Sequence, residues 1–183
     1  KSNFMLFDES ESMRVRNAVN SVIFSSLKSQ PASHQKFILF DPEGRSQGFA
    51  PYLEFMRSNP AIMYNKVFTT QQQIREQVEG LSAFIDEFRQ TKLADCTDIF
   101  AYNRVSVERP ESLKCLCLLN FPKGFDEQML EQLANIVKNG SSCGVQTVIH
   151  FDENAIRNSS SSTYIDLLAK IRESCICLQP SNT

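Results

Sequence analysis

The regular alternation of short apolar runs with longer amphipathic segments constrains this chain more than any other feature of it. Apolar residues recurring at helical spacing predict helices over 13–29, 51–57, 70–92, 98–104, 126–138 and 164–174. Runs of strand character fall between them, at 3–7, 36–41, 63–68, 113–119, 145–151 and 175–178. Strands separated by helices pair in parallel through right-handed crossovers. The expected architecture is α/β, with helices on both faces of a mainly parallel sheet in three layers. The run 113–119 is nearly continuous in apolar residues, as in a strand buried on both faces, whereas 63–68 reads as an edge.

Within the helices, 70–92 carries Ile74, Val78, Leu81, Phe84, Ile85 and Phe88 on one stripe, and 126–138 turns Met129, Leu130, Leu133, Ile136 and Val137 inward. The second of these is expected to stop at Asn139 and Gly140. The run 158–163 has the composition of a mobile loop, and Thr163 with Asp166 is expected to form a capping box for the last helix. The chain shows no internal repeat.

At 183 residues, 42% of them apolar, the chain is sized for a single domain, 1–183, with a sizeable core. It begins at Lys1 with no charged-then-apolar leader, so it reads as a fragment of a longer protein. No apolar run approaches the roughly 20 residues of a membrane helix, which predicts a soluble, cytoplasmic fragment without direct membrane insertion. Its 19 basic residues are outnumbered by 21 acidic ones, so it lacks the electrostatic footprint of a protein that grips nucleic acid alone. Of the six cysteines, Cys115, Cys117, Cys175 and Cys177 lie in apolar runs and read as buried thiols of a reducing compartment. The two Cys-x-Cys pairs share a strand face, but structural zinc sites usually take their cysteines from tight turns, so core thiols are expected.

In such a sheet ligands sit beyond the carboxyl ends of the strands, which makes the loops after Phe7, Asp41, Leu119 and Phe151 the informative ones. The segment 3–27 has the outline of a phosphate-binding strand, loop and helix, yet its loop contains no glycine and no lysine. Nucleotide hydrolysis on this architecture needs amides and a lysine around the phosphates, a Ser/Thr on magnesium and an acidic pair after a buried strand. Here Asp8, Glu9 and Glu11 place negative charge where phosphates would lie, and they read instead as caps of the following helix. Arg14 and Arg16 could supply positive charge, but as helix residues they read as outward-facing. The strand 113–119 runs into Asn120, Phe121 and Pro122, of which Asn brings no charge and Phe cannot act as a base. Asp126 and Glu127 read as cap and dipole partner of the next helix. His34 and His150 fall at no spacing that suggests a metal site or a nucleophile and base. Phe121, Pro122 and Phe125 are candidates for a pocket that takes a protein segment, and equally for ordinary core contacts.

Several of these segments together resemble the FtsK/SpoIIIE family of P-loop DNA-translocase motors. The stretch FILFDPEG, 37–44, is similar to that family's second strand with its Asp-Pro ending. KLADCTDIFAYNR, 92–104, resembles the element in which a Tyr-Asn pair, here Tyr102 and Asn103, closes a short turn. The segment 113–154 resembles the magnesium-binding strand, the following helix and the sensor strand, with Gly144 and Val145 starting the last. The resemblance covers 3–178 and implies a RecA-like P-loop NTPase fold.

The departures from the family fall at its catalytic positions. Val15 stands in the lysine position and Arg16 in the Ser/Thr position of a loop that also holds Glu9, Glu11 and Arg14. Asn120 and Phe121 replace the acidic pair, and Asp152 stands where a sensor glutamine is expected. The resemblance thus implies a degenerate, non-catalytic copy of the kind found among tandem modules of translocases and type VII secretion motors. Such a copy has no cofactor of its own, ATP and magnesium being bound by active modules of the parent protein. Its implied partners are other motor modules of the same protein or neighbouring subunits, with DNA reached through the parent assembly. Two other readings stand beside it: a protein-segment-binding module of a secretion motor, and an atypical ATPase using Arg14 or Arg16 with Asp126 or Glu127.

Overall fold

The structure, a computed structural model, describes residues 3–8, 12–29, 34–43, 47–64, 66–107, 110–156 and 161–179. Among the described residues five strands, β1 (Phe4–Asp8), β2 (Gln35–Phe40), β3 (Leu113–Phe121), β4 (Val145–Asp152) and β5 (Ile176–Leu178), alternate with helices. The helices are α1 (Met13–Ser29), α2 (Leu53–Ser58), α3 (Gln71–Thr91), α4 (Ile99–Val105), α5 (Glu127–Asn139) and α6 (Ser162–Glu173). The strands lie in the order β2-β3-β4-β1-β5, and every pairing is parallel.

Alternation along the strands divides the core in two, because successive side chains leave opposite faces of a sheet. On one face Phe37, Leu39, Cys117, Leu119 and Val148 meet Val15, Val19 and Ile23, which α1 presents four residues apart. A 3-10 segment, Gln47–Tyr52, and α2 complete this layer through Phe49, Tyr52 and Met56. On the other face Ile38, Phe40, Leu116, Leu118 and Ile149 meet the buried stripes of α3, α5 and α6. Each fully buried large side chain contributes about 1.5–3 kcal/mol, so the two faces together make the sheet the centre of stability.

Among its described residues the segment 63–68 forms no strand. It touches the outer edge of β2 through two parallel bridges, Phe37 with Met63 and Phe40 with Phe68, and the Phe68 N–H donates to the Leu39 carbonyl at 2.9 Å. At the opposite edge β5 is short and all three of its residues are exposed, Cys177 included, contrary to the buried thiol expected there. Cys117 and Cys175 are buried and Cys115 is half-buried, with the Cys115 and Cys117 sulfurs 3.7 Å apart.

Helix α5 stops at Asn139 with Gly140 as its C-cap, as expected; a 3-10 turn, Gly140–Cys143, follows it, and the chain reverses at Gly144, φ 75°. Glycine is required at Gly144 for that φ and for space, since a Cβ there would lie 2.7 Å from Ile99 Cδ1. Helix α6 is capped by Ser161, which accepts from the Tyr164 N–H at 3.4 Å, so Thr163 lies inside the first turn and the expected capping box does not form. Of the expected mobile loop, 158–160 lie outside the described residues, whereas 161–163 form the cap and first turn of α6.

Past α4, the Asn103 side chain accepts from the Glu111 N–H and donates to the Glu111 carbonyl, both at 2.9 Å. Tyr102 packs edge-on against Phe88, with centroids 5.4 Å apart. No described helix is long and apolar enough to cross a membrane.

Candidate functional site at the carboxyl edge of the sheet

The carboxyl ends of β1, β2, β3 and β4 gather Asp8, Asp41, Asn120 and Asp152 at one edge, and Asp8 and Asp152 are register partners on neighbouring strands. Asp8 accepts from the Ser12 hydroxyl at 2.5 Å, and the Ser12 carbonyl accepts the Arg16 N–H at 3.1 Å as α1 begins. Arg14 is exposed and Arg16 half-buried. Val15 points into the core with Val19 and Ile23 rather than toward the edge. Glu9 and Glu11 lie outside the described residues.

Asn120 is 1% exposed and adopts φ 56°, a left-handed conformation that Asn tolerates better than most residues. Its amide donates to Asp41 Oδ1 at 3.2 Å, and its N–H donates to His150 Nδ1 at 3.3 Å. The second oxygen of Asp41 accepts from the Gly48 N–H at 3.2 Å. That approach depends on Gly48, because a Cβ there would come within 2.2 Å of Leu119 Cδ1. Asp41 thus ties the end of β2 to the end of β3 and to the segment that covers α1's layer.

Phe121 follows Asn120 into the opposite core, edge-on to Phe125 at 5.0 Å and tilted against Phe151 at 5.9 Å. The Phe121–Pro122 bond is cis. Phe121, Pro122 and Phe125 are all buried, so they are core contacts and offer no exposed pocket for a protein segment.

Asp152 is 1% exposed. Its Oδ1 accepts the Asn154 N–H at 3.0 Å, and its Oδ2 lies 3.6 Å from Lys123 Nζ. Lys123 also forms an ion pair with Glu43, so one ammonium joins the loops after β2 and β3 to the last residue of β4. Burial works to lower the Lys123 pKa, but its hydrogen bond with Glu43 and the charges of Glu43 and Asp152 prevail and raise it. Lys123, Glu43 and Gly48 carry no local signal that marks them as parts of this edge; they are brought to it by contacts between distant segments.

Asp126 and Glu127 lie on the other layer. Asp126 accepts the Met129 N–H at 3.0 Å as the cap of α5 and pairs with Arg75 of α3. The backbone hydrogen bond is the first cause of its lowered pKa, with Arg75 adding to it. Glu127 accepts from the Ser161 hydroxyl at 2.5 Å. Among the described residues no group of three or more His, Cys, Asp or Glu side chains could hold a metal ion.

A parallel sheet in this order, with α1 leaving a central strand, is the RecA-like P-loop fold. Solved structures similar to the chain are FtsK/SpoIIIE-like motor domains. ATPases 2 and 3 of EssC from Geobacillus thermodenitrificans match 93% of the chain at 16% identity with a TM-score of 0.66. The pCW3 conjugation coupling protein TcpA, in its monomer form with ATPγS, matches 97% at 14% identity and 0.67. The cytoplasmic domain of the type VII secretion ATPase EccC from Thermomonospora curvata matches 97% at 11% identity and 0.64. The chain spans 30%, 49% and 20% of these three chains respectively, and at such identities the likeness is one of fold. No family model matches the chain, and no curated protein matches it significantly.

Proposed function

We propose that the chain is a non-catalytic structural or regulatory motor-fold module of a larger ATP-driven FtsK/SpoIIIE-type DNA translocase. The observation that carries this reading is the ammonium of Lys123, set between Glu43 and the buried Asp152 where a nucleotide site on this fold would need its own cation and open carboxylates. Val15 supports it, because a residue buried in the core cannot reach a phosphate. Asp41 supports it as well, its two oxygens being engaged by Asn120 and Gly48. A divalent cation brought to this edge would meet an ammonium already in place, so the described residues do not fit a magnesium nucleotide.

In this reading ATP and magnesium are bound by active modules of the parent protein. The module's partners are other motor modules of the same protein or neighbouring subunits, and DNA is reached through the parent assembly. The multi-module ATPases among the similar structures support that arrangement. An atypical ATPase would need Arg14 or Arg16 to act with Asp126 or Glu127. The acidic pair instead caps α5 and holds Arg75 and Ser161 on the opposite layer, which favours the non-catalytic reading. A protein-segment-binding role finds support in a different place from the buried phenylalanines. A groove of about 680 Å³ on the outer side of α1 is lined by Phe24, Leu27, Pro51, Tyr52 and Phe55.

Calorimetric titration of ATP with magnesium tests the leading reading. No saturable heat is expected at millimolar nucleotide. Saturable binding would overturn the reading, and loss of that binding in Arg14→Ala or Arg16→Ala would identify arginine as the replacement for lysine.

A further inference from the structure

Below α3 the sheet changes character toward the amino ends of its strands. The apolar row of Phe40 and Ile38 on β2 ends in Lys36, and the row of Leu118 and Leu116 on β3 ends in Lys114. Residues two apart share a strand face, so both lysines rise on the α3 side, and they are register partners on adjacent strands. Each ammonium lies over an aromatic ring: Lys114 Nζ is 3.4 Å from the Phe84 centroid, and Lys36 Nζ is 4.5 Å from that of Tyr64. Lys66 adds a third cation, 5.4 Å above Phe68, whose ring meets Tyr64 edge-on at 5.3 Å.

Aromatic faces attract cations without neutralising them. No carboxylate of the described residues stands within ion-pair distance of Lys36, Lys66 or Lys114. Burial lowers the pKa of Lys114; Glu111 raises it in part, and Lys36 lowers it again through like-charge repulsion. Gathering these cations, Lys36 and Lys114 half-buried and Lys66 exposed, without ion-pair partners costs free energy that an external anion would relieve.

The kind of anion follows from the ring geometry. A nucleic-acid strand would stack its bases on open aromatic faces, but here the ammonium groups cover Tyr64 and Phe84. Carboxylates need no ring face and fit between lysines on strands about 4.8 Å apart as charge-assisted hydrogen-bond acceptors. We propose that the rim formed by Lys36, Lys66 and Lys114 is a docking surface for an acidic segment of a partner protein. Lys36 and Lys114 lie at the amino ends of β2 and β3, and Lys66 lies on the segment bridged to the outer edge of β2, so none of the three belongs to the carboxyl-edge site.

Fluorescence anisotropy of a labelled glutamate-rich peptide with the 183-residue chain provides the test. Saturable binding is expected, weakening between about 50 and about 200 mM salt. The Lys36→Gln, Lys66→Gln double variant should bind roughly tenfold more weakly, and Lys66→Gln alone, at an exposed position, should move in the same direction. Lys28→Gln, on α1 in the opposite layer, should bind as the unaltered chain does. Absence of saturable binding, an equal loss in Lys28→Gln, or tighter binding of a single-stranded oligonucleotide of equal charge would overturn the proposal. Each of these readouts is independent of nucleotide titration, so failure here and failure of the non-catalytic reading are distinguishable.

Discussion

Removing one ammonium group would expose how the carboxyl edge is held. Asp152 is 1% exposed and has Lys123 as its cationic neighbour, so Lys123→Met leaves a buried carboxylate short of a partner. A loss of about 1–3 kcal/mol is expected in urea denaturation at neutral pH. The folded pKa of Lys123 lies above its ordinary 10.5, so its stabilising contribution is complete below that pH and is lost as pH climbs through the raised value. Lys123→Met should lack this alkaline component. At this scale the sequence is partly transparent. Val15 and Phe121 announce by their chemistry that they cannot serve a nucleotide. Asn120 does not announce its left-handed φ or its bond to Asp41, and Lys123 meets Glu43 across a separation of 80 residues that no local pattern encodes.

Helix bodies and helix ends differ in how legible they are. The body of α3 follows from a stripe repeated over several turns, so its core-facing residues are readable directly. Its cap, Thr70, is the second of two adjacent threonines that precede the stripe. In the serine run before α6 many hydroxyls compete, and tertiary contact decides among them: Ser161 is selected, and Glu127 of α5 accepts its hydroxyl. Ser161→Ala should therefore cost about 1 kcal/mol in thermal or urea unfolding. Thr163→Ala should stay within about 0.5 kcal/mol, because an exposed first-turn residue caps nothing. Equal losses would restore the capping box expected from the sequence. The end of α5 is legible, since Asn139 and Gly140 close it as expected; the left-handed reversal at Gly144, where the packing of Ile99 leaves no room for a Cβ, is not.

For the molecule as a whole, strand and helix alternation carries the fold class, because a parallel sheet demands it. The spatial order β2-β3-β4-β1-β5 is not carried by periodicity, since each crossover could in principle land at several places. It is accessible only through the family likeness. The order has a measurable consequence: β3 and β4 sit inside the sheet beneath helices, while β5 is an exposed edge. Amide hydrogen exchange should therefore be slowest in β3 and β4, with β5 exchanging at least about tenfold faster. Comparable protection across all five strands would place β5 inside a larger sheet or interface.

The Asn103 side chain makes with Glu111 the two hydrogen bonds that one strand residue would make with its neighbour. A single amide thereby acts as a fastener, and because the cost of closing a loop rises only slowly with its length, insertions between 106 and 110, beyond the end of α4, should leave the starting point of β3 in place.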